Sequence, residues 1–97
     1  MNYYSCPVCG FSSMPAPPVD YNICPCCGTE FGLDDVESTH AELRMAWLSN
    51  GAKWFSDELS PQPTPWNPFV QLAMADLEYD RNYEPASADN TYSVAIA

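Results

Sequence analysis

Apolar positions along this chain fall into three kinds of pattern. In the first third they come singly or in pairs between cysteine, proline and glycine: Tyr3-Tyr4, Phe11, Tyr21, Ile23 and Phe31. That spacing predicts two short β-hairpin arms with Met14–Pro18 as an extended loop between them. The second pattern is helical. Thr39-His40-Ala41-Glu42 has the form of a capping box, with Thr39 at the N-cap and Glu42 reaching back from N3. Leu43, Ala46, Trp47 and Asn50 then recur at helical spacing, and Asn50-Gly51 predicts the stop. Asn67 followed by Pro68 predicts a second helix start, because proline at N1 lacks only an N–H that has no partner there. Phe69, Leu72, Ala73, Asp76 and Leu77 share one face of it, and Val70, Met74 and Leu77 the next. The expected arrangement is an antiparallel helix pair against the hairpins, with Trp47, Trp54, Phe55 and Trp66 between. The third pattern is strict alternation at Tyr92, Val94 and Ile96, which reads as a C-terminal strand or as a frayed terminus.

Composition narrows this picture. Ninety-seven residues suffice for one domain or a small module with an appendage. Ten prolines, about twice the usual share, require extended connectors. Four of them, Pro61, Pro63, Pro65 and Pro68, recur between Ser60 and Pro68 as a polyproline-like strut, expected to pack on tryptophan as a rigid connector. Thirteen acidic residues face only Arg44, Lys53 and Arg81, for a net charge of −10. Phosphate recognition needs clustered cations, so nucleic acid and anionic membrane surfaces are excluded as partners. Charge also divides the chain: residues 34–97 hold eleven acids and all three bases, a net of −8. The expected units are therefore 1–33, 34–82 packed on it, and a tail at 83–97. No apolar run approaches the roughly eighteen residues of a membrane span, and the N-terminus lacks a signal-peptide pattern. A soluble, cytoplasmic protein is expected.

The chemistry lies in five cysteines, all within the first 27 residues. Cys6-Pro7-Val8-Cys9-Gly10 and Cys24-Pro25-Cys26-Cys27-Gly28 are two copies of C-P-x-C-G, with fourteen residues between Cys9 and Cys24. A C-x-x-C turn aims two thiolates at one ion, and the following glycine supplies the left-handed backbone that closes the turn. Two such knuckles make a tetrahedral S4 site, so Cys6, Cys9, Cys24 and Cys27 are the expected metal ligands. Cys26 occupies the variable position and reads as a small side chain facing outward. A ligand exchange between Cys26 and Cys27 stays open, since C-x-C also grips metals. A unit of this size has too little apolar area to fold without its metal, and Tyr3-Tyr4, Phe11, Tyr21, Ile23 and Phe31 are expected to cover the site. The lone His40 reads as a surface or packing residue. No catalytic triad, phosphate loop or metal-binding histidine pair is present, so no enzymatic activity is expected.

The paired knuckles resemble zinc ribbons, and their flanks, Tyr4-x-Cys6-x-x-Cys9-Gly10-Phe11 and Ile23-Cys24-Pro25-x-Cys27-Gly28, resemble rubredoxin knuckles. Residues 3–35 are most similar to small bacterial cysteine-rich CPCC-type proteins, through Ile23-Cys24-Pro25-Cys26-Cys27 with Asp34-Asp35 downstream. The resemblance implies a zinc ribbon and, in bacterial toxin systems, an immunity role. The gap between knuckles is shorter than in rubredoxin, which weighs against electron transfer.

The fold class expected is thus small α+β: an N-terminal zinc ribbon of short β hairpins followed by a helical hairpin. The function expected is a metal-stabilised protein–protein interaction module, a regulator or an immunity protein binding a basic toxin or enzyme. Its cofactor would be Zn2+, with iron in a rubredoxin-like electron carrier as the alternative. Loading a divalent ion onto four thiolates deepens the acidity by about two charges, which favours a partner with a basic face. The expected contact surface is Glu37, Glu42, Asp57, Glu58, Asp76, Glu78 and Asp80, with any exposed tryptophan as anchor.

Overall fold

Each C-P-x-C-G segment folds back on itself and is closed by one antiparallel bridge. The computed structural model describes residues 2–80, and within them Tyr4 pairs with Met14 and Ile23 with Glu30. Turn bonds repeat between the two knuckles. Gly10 N–H donates to Cys6 O at 3.0 Å and Gly28 N–H to Cys24 O at 2.9 Å. Cys6 N–H donates to Phe11 O, and Cys24 N–H to Thr29 O. Both glycines take positive φ, +85° and +79°, where a Cβ would be strained. Met14, the first residue of the expected loop, is 1% exposed and pairs with Tyr4. Of the six aromatic and aliphatic residues expected over the centre, Phe11 and Phe31 are buried, whereas Tyr3, Tyr21 and Ile23 face solvent. Val8 and Met14 fill the space instead.

Helix α1 spans His40–Ser49 and starts on the predicted capping box. Thr39 Oγ1 accepts from Glu42 N–H at 3.0 Å and Glu42 Oε1 accepts from Thr39 N–H at 2.8 Å. It ends at Asn50, and Gly51 follows with φ +100°. Its buried stripe is Arg44, Trp47 and Leu48, rotated from the predicted one: Leu43 is half-buried, and Ala46 and Asn50 are exposed. Helix α2 spans Pro68–Met74, with Asn67 Oδ1 accepting from Phe69 and Val70 N–H. Leu72 is its buried residue, while Ala73, Val70 and Met74 are exposed.

The helices meet at their margins, and tryptophans fill the space between them and the knuckles. Trp54 stands edge-on to Phe11 at 5.1 Å and to Trp66 at 5.4 Å, and Trp47 lies 6.4 Å from Trp66. Each indole N–H has a partner: Lys53 O for Trp47, Ser60 O for Trp54 and Gln71 Oε1 for Trp66. Burying a ring this size leaves its N–H to be satisfied inside the protein. Phe55, expected among them, is instead half-exposed and lies over Gly28. The buried residues form one cluster that runs across position 34, from Cys6, Val8 and Phe31 to Trp47, Leu48 and Leu72. The alternating segment at 92–96 and the rest of the tail at 83–97 lie outside the described residues.

Candidate metal centre

The thiols of Cys6, Cys9, Cys24 and Cys27 converge, all four Sγ atoms lying within 4.8 Å of one another. Cys6 Sγ is 3.7 Å from Cys27 Sγ, and Cys9 Sγ is 3.7 Å from Cys24 Sγ. A tetrahedron with metal–sulfur bonds of about 2.3 Å has edges of about 3.8 Å, so this donor set fits one zinc or iron ion. Both of these contacts run between knuckles. A local turn cannot produce that, and the packing of one knuckle on the other does.

The C-terminal half grips both knuckles at equivalent atoms. In the first knuckle, Arg44 donates from Nη2 to Pro7 O at 2.9 Å and from Nε to Val8 O at 2.7 Å. In the second, the matching carbonyls accept from main-chain N–H groups: Pro25 O from Phe55 and Ser56, and Cys26 O from Phe55. Gln71 spans the two, its Nε2 donating to Cys9 O at 3.0 Å and to Cys26 Sγ at 3.4 Å. Its own amide oxygen is held by Trp66 Nε1. Both glycines are roofed as well. A Cβ on Gly10 would lie 2.8 Å from Ala75 Cβ, and one on Gly28 would lie 2.5 Å from the Phe55 ring.

Cys26 corrects the expectation of an outward side chain, for it is fully buried. Superposing the two motifs puts Cys26 opposite Val8, also fully buried, and both variable positions face the core. That correspondence was available in the sequence. Cys26 stands outside the four-sulfur group. His40 stays clear of the centre, edge-on to Phe31 at 6.0 Å and 3.3 Å from Asp35 Oδ2. Asp35 also accepts from Gly32 N–H, and that bond first, then His40, lowers its carboxyl below the ordinary range. Arg44 and Gln71 were missed as site residues. The signal for Arg44 is its i, i+3, i+4 register with Trp47 and Leu48; for Gln71, 62 residues from Cys9, no local signal exists.

In the metal-free protein the crowded sulfurs divide their protons unequally. Cys27 is pulled far down by hydrogen bonds from Cys24, Cys6 and Cys9. Cys6 is pushed up, chiefly through its bond to Cys24, and Cys24 through its bond to Cys27. For Cys9 the bond to Cys24 works downward, but those to Cys26, Cys27 and Cys6, with burial, leave it raised. An entering divalent cation displaces the protons of the thiols it binds. Cys27, the only cysteine not buried, lines an open groove of about 420 Å³ with Thr29, Lys53 and Trp54. Thr29 Oγ1 lies 3.2 Å from its sulfur.

Charge outside the centre is almost wholly acidic. Burial of Arg44 leaves Lys53 as the one exposed Lys or Arg side chain among the described residues, whereas Glu37, Glu42, Asp57, Glu58, Asp76, Glu78 and Asp80 are all exposed. No described helix is long and apolar enough to cross a membrane. Compared with known proteins, the chain matches no family model, no curated protein and no solved structure.

Proposed function

We propose that this chain is a zinc-stabilised protein-interaction module, in which a structural S4 centre holds an acidic surface in shape for a partner with a basic face. The observation that carries the reading is the convergence of four thiols within 4.8 Å under a C-terminal half bonded to both knuckles. A closed four-thiolate site leaves no open coordination position for catalysis, and zinc sites of this kind contribute directly to folding. The short hairpins and the helical pair then form a small α+β ribbon unit. Its acidic surface suits a regulator, or an immunity protein that covers a basic toxin or enzyme. None of the three tryptophans is fully exposed: Trp47 is buried, and Trp54 and Trp66 are half-buried with their indole N–H groups bonded within the chain.

One observation favours the iron-loaded electron carrier as second reading: Cys27 is part-exposed beside a groove, which gives an electron an exit. Metal analysis of aerobically purified protein separates the two, because zinc protein is colourless and a ferric S4 centre is red. The interaction reading predicts a basic protein captured stoichiometrically from the native host, with an association rate that falls as salt rises. Charge reversal at Glu37, Glu58 and Glu78 should slow that association several-fold. A captured partner indifferent to salt and to all three reversals would refute the acidic contact face.

A further inference from the structure

Arg44 is the only buried charged side chain among the described residues, at 7% exposure. Eleven of the chain's thirteen acidic residues lie among the described residues, yet the one ion pair found there joins His40 to Asp35. All three nitrogens of the guanidinium end on backbone carbonyls: Val8 O at 2.7 Å, Glu78 O at 2.8 Å and Pro7 O at 2.9 Å. Burying a cation without an anion costs far more than burying a neutral donor. The second knuckle shows that hydrogen bonding alone does not demand this, because neutral N–H groups of Phe55 and Ser56 satisfy the same two carbonyls there. What remains to be explained is the charge. Pro7 and Val8 lie between the ligands Cys6 and Cys9, and four thiolates around a divalent ion leave a net charge of about −2. In a buried environment such charges are poorly screened.

We propose that Arg44 is a positioning residue for the metal centre, its buried guanidinium serving as counter-charge to the tetrathiolate while it clamps the first knuckle to α1 and to the segment after α2. The inference rests on reading Cys6, Cys9, Cys24 and Cys27 as ligands of a divalent ion. The charge raises metal affinity over and above the three hydrogen bonds. Losing a partner just outside a metal's ligands commonly weakens affinity about 10- to 100-fold.

The test is zinc affinity of the full chain by chelator competition, compared among wild type, Arg44→Lys and Arg44→Gln. Lysine keeps the charge and loses the planar fork; glutamine keeps donors and loses the charge. Arg44→Gln should bind zinc about 10- to 100-fold more weakly, and Arg44→Lys should recover most of that loss. In the cobalt-substituted protein, the thiolate charge-transfer band should shift in Arg44→Gln and stay in place in Arg44→Lys. Leu72→Ala serves as comparator, since it loosens the core without altering charge. Equal weakening in Arg44→Lys and Arg44→Gln, or no weakening in either, would overturn the proposal. So would a Leu72→Ala variant of matched thermal stability that loses as much zinc affinity as Arg44→Gln. If Arg44→Gln does not fold at saturating zinc, Arg44→Met takes its place in the same comparison. A wild-type chain that takes up no divalent metal refutes the ligand reading itself, a distinct failure from a wild type that binds and a glutamine variant that binds equally.

Discussion

The two knuckles share four of the five residues of their motif and the same turn bonds, yet the rest of the chain braces them by different means. The first receives a guanidinium from α1 on its Pro7 and Val8 carbonyls, and the end of α2 roofs its glycine. The second receives main-chain N–H groups on Pro25 and Cys26, a phenyl ring over its glycine and a hydroxyl beside Cys27. Both solutions satisfy the same pair of carbonyls. Local sequence therefore sets what each knuckle needs, and the surrounding elements decide how that need is met. The difference has consequences: the first knuckle is packed against helix, whereas the second keeps a part-exposed ligand.

The largest effect expected is common to both knuckles. Cys9→Ser and Cys24→Ser should each reduce metal from one ion per chain to almost none by native mass spectrometry. The loss to the folded state is on the order of 10 kcal/mol for a small zinc unit. Amide exchange should then show residues 3–33 unprotected. A Cys24→Ser chain that kept its metal would mean that Cys26 replaces the missing ligand, and the symmetry of the two knuckles would be broken.

The glycines distinguish the knuckles. Each has positive φ, so alanine costs about 1–2 kcal/mol at either for the left-handed backbone. At Gly10 the new Cβ also meets Ala75 Cβ at 2.8 Å and the Gln71 main-chain oxygen at 3.1 Å, atoms that move only if the end of α2 moves. At Gly28 it meets the ring of Phe55, which is 56% exposed and can swing away. Denaturant unfolding of zinc-loaded protein should give a loss of about 3 kcal/mol for Gly10→Ala, against about 1–2 kcal/mol for Gly28→Ala. Equal losses would mean that α2 yields as readily as the ring.

Smaller again is the effect at the variable position. Cys26→Ser should leave one metal per chain, because Cys26 stands outside the four-sulfur group. It should cost about 1 kcal/mol for placing a hydroxyl in a buried site, with Gln71 Nε2 still able to donate to it. The last difference is one of access. Mild alkylation of the metal-loaded protein, mapped by peptide mass spectrometry, should modify Cys27 first by a few-fold in rate, since it alone is not buried. First reaction at Cys6 or Cys9 would place the open edge of the centre on the other knuckle.

Much of the site was legible because its determinants are local. The doubled C-P-x-C-G, the glycines that need positive φ, the capping box at Thr39 and Glu42, and the Asn67-Pro68 helix start each depend on residues a few positions apart. A sequence states such relations directly, and the convergence of Cys6, Cys9, Cys24 and Cys27 follows once the two knuckles pack on one another. The orientation of α1 was not of this kind. Leu43, Met45, Ala46, Trp47 and Leu48 place apolar groups around most of its circumference, so periodicity alone could not select a face. The wall opposite selected it: the carbonyls of Pro7, Val8 and Glu78 need donors, and the helix turned Arg44 towards them. The same applies to Cys26, Phe55 and Gln71, whose partners lie 29 to 62 residues away in the chain. The grouping of the four thiols was written in the sequence because turn geometry is short-range. The arrangement that braces those ligands came only with the tertiary structure, because a buried polar group takes whichever partner packing brings within reach.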